Sequence, residues 1–202
     1  IKKGDLIKTY LNGFRSVERA EKNYIINNIV KSLILAYISL ATIPLIPLIF
    51  FDTGNITKCC HFIGFLYTAS DTVALTKNIN MSYSTKIHHS ITTFLAWLNT
   101  LINWGNAHSI AKMLALYCIL SCYSYNVNYC LGMRFLIQDR EDKKLKNSAY
   151  ITYLSCCTLN WFSHIIYLLY NINNLDTLIV SYYLIMSLIV YDDIVLLSWL
   201  QY

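Results

Sequence analysis

The sequence predicts an all-α fold: a multipass membrane protein with six transmembrane helices in one bundle and an N-terminal interfacial helix. Three observations carry this. The 202 residues are 56% hydrophobic and 13% charged, with only two prolines and six glycines to interrupt the apolar runs. Soluble domains average about 25% charged residues. Six stretches approach the roughly 20 apolar residues that cross a hydrocarbon core of about 30 Å. Threading those six in order sorts the basic residues almost entirely to one side.

The elements follow in chain order. Residues 5–20, DLIKTYLNGFRSVERA, put Leu6, Ile7, Tyr10, Leu11, Phe14 and Val17 at helical spacing, with Lys8, Arg15 and Arg19 mostly elsewhere around the helix. That pattern reads as an amphipathic helix on the cytoplasmic leaflet, the alternative being a frayed tail. Residues 1–28 therefore form an interfacial segment and 29–202 the six-helix domain. The chain opens on Ile, so a segment upstream is expected. No signal-peptide pattern precedes the first apolar run, which is long enough to remain as a span. The expected spans are 29–51, 59–76, 88–105, 110–133, 148–170 and 177–200. Pro44 and Pro47 are expected to kink the first near its outer end, because proline lacks the donor and crowds the preceding turn.

Cytoplasmic loops hold an excess of Lys and Arg. With both termini cytoplasmic, 14 of the 16 basic residues fall on that side, Lys31 among them at the start of the first span; only Lys58 and Lys112 fall on the other. This sorting accounts for the net charge of +5 without a nucleic-acid partner. The seven cysteines sit mostly inside apolar runs, form no CxxC pair and read as small hydrophobes, not a disulfide framework or zinc site. The sequon NIT at 55–57 lies on the expected luminal side, too close to the membrane to be used.

Intramembrane polar groups are costly, about 2.5–3.5 kcal/mol for a charge at a helix centre, so they normally face the bundle interior and pair. Asp71 lies six residues before Lys77, about 9 Å from the cytoplasmic end of the second span. His88 and His89 open the third span from that same end. Asn126, Asn128 and Arg134 fall toward the cytoplasmic end of the fourth, and Asp192 and Asp193 lie in the cytoplasmic half of the sixth. The expectation is a polar site open to the cytoplasmic leaflet. Its candidate catalytic residues are His88, His89 and Asp71, and its candidate lining is Thr68, Thr93, Tyr125, Asn128, Arg134 and Asp192.

Adjacent helical residues diverge by about 100°, so the two histidines are expected not to point at one spot. They lack the i, i+4 spacing of a chelating pair, and no metal site is expected. Proton transfer, or one functional and one orienting histidine, fits better, with Asp71 placed to orient a histidine. His89, which shares a face with Thr92 and Thr93, is the one expected in the cavity. By the same divergence at most one of Asp192 and Asp193 is expected to point inward. The plain alternative is that these residues glue helices together, with Arg134 snorkelling to phosphates. His61 and His164 read as satisfied bundle histidines, and His108 carries no signal.

LYTASDTVAL, STKIHHSITTF and YSYNVNYCLGMRFL, in this order within six spans, resemble the TLC (TRAM–LAG1–CLN8) family of multipass membrane proteins. The resemblance implies helices around a lipid-sized cavity and a lipid-handling role. In the ceramide synthase branch the paired histidines belong to the active-site motif. Carried over, His88 and His89 would act in acyl transfer from acyl-CoA to a sphingoid amine. That branch also has a downstream His-Asp followed by Ser-Asp, and LNTLINWGNAHSIAKML offers no such cluster. The chain looks more like the non-synthase members, associated with lipid sensing, trafficking or membrane composition.

Three functions thus stand side by side. They are lipid handling with a membrane lipid as partner, a histidine-dependent acyltransferase drawing also on acyl-CoA, and a structural or assembly protein without a ligand. No cofactor is expected. The expected location is the endoplasmic reticulum membrane or one derived from it.

Overall fold

A computed structural model describes residues 10, 12–51, 56–77, 81–102, 104, 109–137 and 139–202. Its regular elements are all helical: α1 (Arg19–Thr42), α2 (Leu45–Phe51), α3 (Thr57–Lys77), α4 (Tyr83–Asn99), α5 (Ile110–Cys122), α6 (Tyr125–Met133), α7 (Asp139–Tyr170) and α8 (Thr177–Gln201), with a 3-10 turn at Ile172–Asn174. Tyr10 and residues 12–16 are also helical. Residues 5–9 and 11 of the expected interfacial helix, with Asn55 of the sequon and His108, lie outside the described residues.

Each helix begins and ends for a local reason. α1 starts ten residues before the expected span and stops at Thr42, because Pro44 removes a donor and crowds the turn before it. Ser82 caps α4 by accepting from the Thr85 N–H at 3.3 Å, and Ser109 caps α5 by accepting from Ala111 N–H at 3.3 Å. Asp176 accepts from Ile179 N–H at 2.8 Å to start α8. Between α5 and α6 the axis bends by 45°. There Ser124 Oγ donates to the Ser121 carbonyl at 2.6 Å, a side-chain bond that competes with the helical ladder.

α5 is buried on nearly every side and lies at the centre. It contributes to three core clusters: Leu114 and Tyr117 with Leu95 and Met186; Ala111 and Ile119 with Ile49 and Trp104; and Cys118 and Cys122 with Leu35 and Ile63. A fourth cluster, around Val127, Cys130, Tyr153 and Leu197, joins α6, α7 and α8. Below the bend α6 lies against α1. A Cβ on Gly132 would meet Ile29 Cγ1 at 2.9 Å and the Ile25 carbonyl at 3.2 Å, so only glycine permits this approach.

Two helices, Glu21–Thr42 and Thr177–Gln201, are each long and apolar enough to cross a bilayer, and the bent pair α5–α6 makes a third if it is one span. The six full spans expected from the sequence are not confirmed by this criterion. α4 has 17 residues, about 26 Å, and is short for the purpose. α3 and α7 are long enough but carry polar groups such as Asp71, Asn160 and His164 on their inner faces.

Gly132→Ala is expected to destabilise the fold by about 1–3 kcal/mol through overpacking. Gly64→Ala, whose Cβ meets nothing within 4 Å, is expected to be neutral or to gain up to about 1 kcal/mol of helix propensity. Unfolding of the purified variants in mixed micelles, followed by far-UV circular dichroism, compares the two.

Candidate functional site

The site is built around a carboxylate that water does not reach. Asp71 is 1% exposed on the inner face of α3. Lys31 of α1 pairs with its Oδ1. From α4, His89 Nδ1 lies 3.0 Å from the same oxygen, and Thr92 Oγ1 donates to Oδ2 at 3.2 Å. Three helices thus meet at one acid. The sequence reading groups Lys31 with the cytoplasmic basic residues at the start of the first span; it is 7% exposed and belongs to the interior.

The second histidine serves a different neighbour. His88 Nδ1 lies 3.1 Å from Asp192 Oδ2 on α8, and the two imidazole rings stand edge to face with centroids 5.6 Å apart. The 100° divergence gives each histidine its own acid, a pairing the sequence reading does not anticipate. It does not keep either out of the cavity, because His88 and His89 both line it. Asp192 and Asp193 are likewise both buried, against the expectation that only one would be. Asp192 turns to α4. Asp193 turns to α7, where Tyr153 OH donates to it at 2.7 Å and Trp161 Nε1 at 3.4 Å.

These groups surround a cavity of about 410 Å³. Its inner floor is Leu35, Tyr67, Tyr117 and Asn160 near the middle of the bundle. Its outer rim is Tyr24, Met81, Ser82, Arg134 and Trp199. That rim lies where α1, α4 and α7 begin and α3, α6 and α8 end, the end that carries most of the described basic residues. The length of α1 between Tyr24 and Leu35 spans about 16 Å.

The expected lining residues divide. Asn128, Arg134 and Asp192 form part of the wall. Asp71 does not; it stands behind Lys31 and His89 and acts through them. Thr68 donates to the Gly64 carbonyl at 3.0 Å and borders a separate small void beside Thr92 and Asn99. Thr93 faces outward, with Thr72 Oγ1 at 3.5 Å, and Tyr125 is 40% exposed. Both lie outside the cavity because the face of α4 that turns inward runs through His88, His89 and Thr92, and because the bend precedes Tyr125. Asn126 ties α6 to α7, donating to Thr152 Oγ1 at 2.9 Å.

At the opposite end His164 is fully engaged, with Nδ1 2.7 Å from the Asn160 carbonyl and Nε2 2.6 Å from Tyr182 OH. His61 packs edge-on to Trp104, with centroids 5.8 Å apart. Among the described residues no group of three or more His, Cys, Asp or Glu is placed to hold a metal ion.

Lys31, Asp193 and Tyr153 were missed as site residues. Lys31 had a readable signal: a lysine inside an apolar run must find an acid at its own depth. Tyr153 had none.

Chemically, the cavity presents two histidines, each with a carboxylate oxygen within 3.1 Å of its Nδ1. That arrangement orients an imidazole for proton transfer. No protein-family model, no curated protein sequence and no solved structure matches this chain.

Removing one member of the buried Lys31–Asp71 pair leaves the other without a counter-charge. Lys31→Met or Asp71→Leu alone is expected to cost about 3–5 kcal/mol, whereas the two combined should lie much closer to the parent protein. Unfolding free energies of the two single and one double variant form the cycle; simple additivity would mean the pair is not coupled.

Proposed function

We propose that this chain is a multipass membrane protein of TLC type that handles lipid in a cavity open to the cytoplasmic leaflet. The observation that carries the reading is the cavity itself. At about 410 Å³ it falls in the range of ligand pockets, about 300–1,000 Å³, and joins an apolar wall to a few convergent polar groups. Leu35, Tyr67, Val127 and Leu196 give a chain somewhere to lie, while the histidines and the rim offer contacts for a headgroup.

The six-span topology, with both termini cytoplasmic, is part of the same reading. Its support is the outer surface. α3, α4 and α7, which fall short as isolated spans, expose Phe62, Phe65, Phe94, Trp97, Phe162 and Ile165 just as α1 and α8 expose Leu33, Leu40 and Leu184. Exposed apolar surface on this scale marks contact with something other than water. The basic rim fits the cytoplasmic side, and the endoplasmic reticulum or a membrane derived from it is the proposed location.

A second reading, histidine-dependent acyl transfer, is favoured by the two His–Asp pairs. A histidine held by its acid could take the proton of an attacking amine as it adds to a thioester. The absent downstream motif weighs against it.

Lipid carried through purification in neutral detergent, identified by native mass spectrometry, tests the main reading. Leu196→Trp fills the cavity and should lose that lipid at least tenfold, while Leu188→Trp on the outer face should keep it. Equal retention by both would refute a lipid cavity. For the enzyme reading, expression of the intact protein must change cellular lipid composition, and His89→Ala must abolish the change.

A further inference from the structure

The acids and bases of the cavity are nearly all matched. Asp71 is taken by Lys31, His89 and Thr92, Asp192 by His88, and Asp193 by Tyr153 and Trp161. Arg134 is the exception. It lines the cavity at the rim, yet among the side chains described, which leave out those of residues 138–141, no carboxylate lies within ion-pairing distance of it, and its Nε is buried without a hydrogen-bond partner.

The guanidinium is nevertheless held in place. Its carbon sits 5.1 Å from the ring centroid of Tyr24, 4.7 Å from that of Phe135 and 5.4 Å from that of Trp199. Aromatic faces hold a cation without neutralising it. Three rings from three parts of the chain thus fix a full positive charge at the cavity mouth and leave its donors for something else. A side chain merely snorkelling to the bilayer surface would not need this enclosure. Asn27 and Asn128 also line the cavity, and neither uses its side chain in a hydrogen bond among the described residues. Asn28 is different, since its amide donates to the Tyr24 carbonyl at 2.9 Å.

We infer that Arg134 is the recognition point for an anionic group, a phosphate or a carboxylate, at the headgroup end of the ligand in this cavity. A planar guanidinium presents two parallel donors that match either oxyanion. Asn27 and Asn128 supply further donors along the wall. The ligand class is an amphiphile with an anionic head at the rim and its apolar part directed toward Leu35 and Tyr67. This rests on the lipid-handling reading above and adds the charge of the lipid.

The test uses the full chain purified in neutral detergent, with three probes: a lipid bearing a phosphate monoester, a diacylglycerol with the same acyl chains and no anionic group, and inorganic phosphate. The expected result is at least tenfold tighter binding of the phosphate-monoester lipid than of the diacylglycerol. Arg134→Gln should remove that preference while leaving diacylglycerol binding within twofold. Arg134→Lys, which keeps the charge and loses the fork, should fall between, and its unchanged melting profile guards against misfolding. Lipid binding at least tenfold tighter than inorganic phosphate identifies the lipid as the source of the anion. Equal affinities identify the free anion and still support Arg134 as its receptor. Equal binding of the two lipids by the parent protein, or undiminished preference in Arg134→Gln, overturns the inference while lipid handling stands. Binding of no lipid by the parent protein overturns lipid handling itself.

Discussion

Asp71 is the point on which the inner geometry of the bundle turns. A carboxylate that is 1% exposed must have donors and counter-charge brought to it, or the desolvation of the charge goes uncompensated. The chain answers with Lys31 from α1 and His89 and Thr92 from α4. Those contacts fix the depth of three helices relative to one another, since none can slide by a turn without stranding the acid. They also fix the orientation of His89, and through it the wall of the cavity. Stability and site geometry share the same atoms here.

A related constraint explains how neighbouring residues serve different partners. Two adjacent positions on a helix point about 100° apart, which argues against both meeting one ligand. It does not argue against both being buried when the helix is flanked on two sides. α4 lies between α3 and α8, so His89 meets Asp71 and His88 meets Asp192. α8 lies between α4 and α7, so Asp192 meets His88 and Asp193 meets Tyr153. Each neighbouring pair acts as a hinge pin between two interfaces, and the two pins together draw α3, α4, α8 and α7 around one space.

What could be read from the sequence follows from this. The positions of the helices were legible because long apolar runs broken by Pro44 and by capping serines leave few alternatives. The convergence of Asp71, the histidines and Asp192 was legible because the cost of burying charge forces acids and bases to a common depth. Lys31 was not, because counting basic residues by side treats every lysine near a helix end as a loop residue. Thr93 and Tyr125 were placed inside by spacing alone, and spacing does not say which of two neighbouring faces a partner helix covers. The 45° bend at Ser124 was also hidden, since serine is common in straight helices and only its bond to the Ser121 carbonyl marks the break.

The brevity of α4 has a consequence for the surrounding bilayer. In the six-span reading its 17 residues reach about 26 Å, less than an average hydrocarbon core of about 30 Å. Lipids beside Phe94 and Trp97 must then shorten to cover the helix, and the membrane dimples along that flank. Such a dimple costs least where the bilayer is already thin, about 27 Å in the endoplasmic reticulum against about 32–33 Å at the plasma membrane. If α4 crosses the bilayer, thickness matching would favour thinner membranes on physical grounds alone. The thinnest stretch of bilayer would then lie beside the helix that carries both histidines.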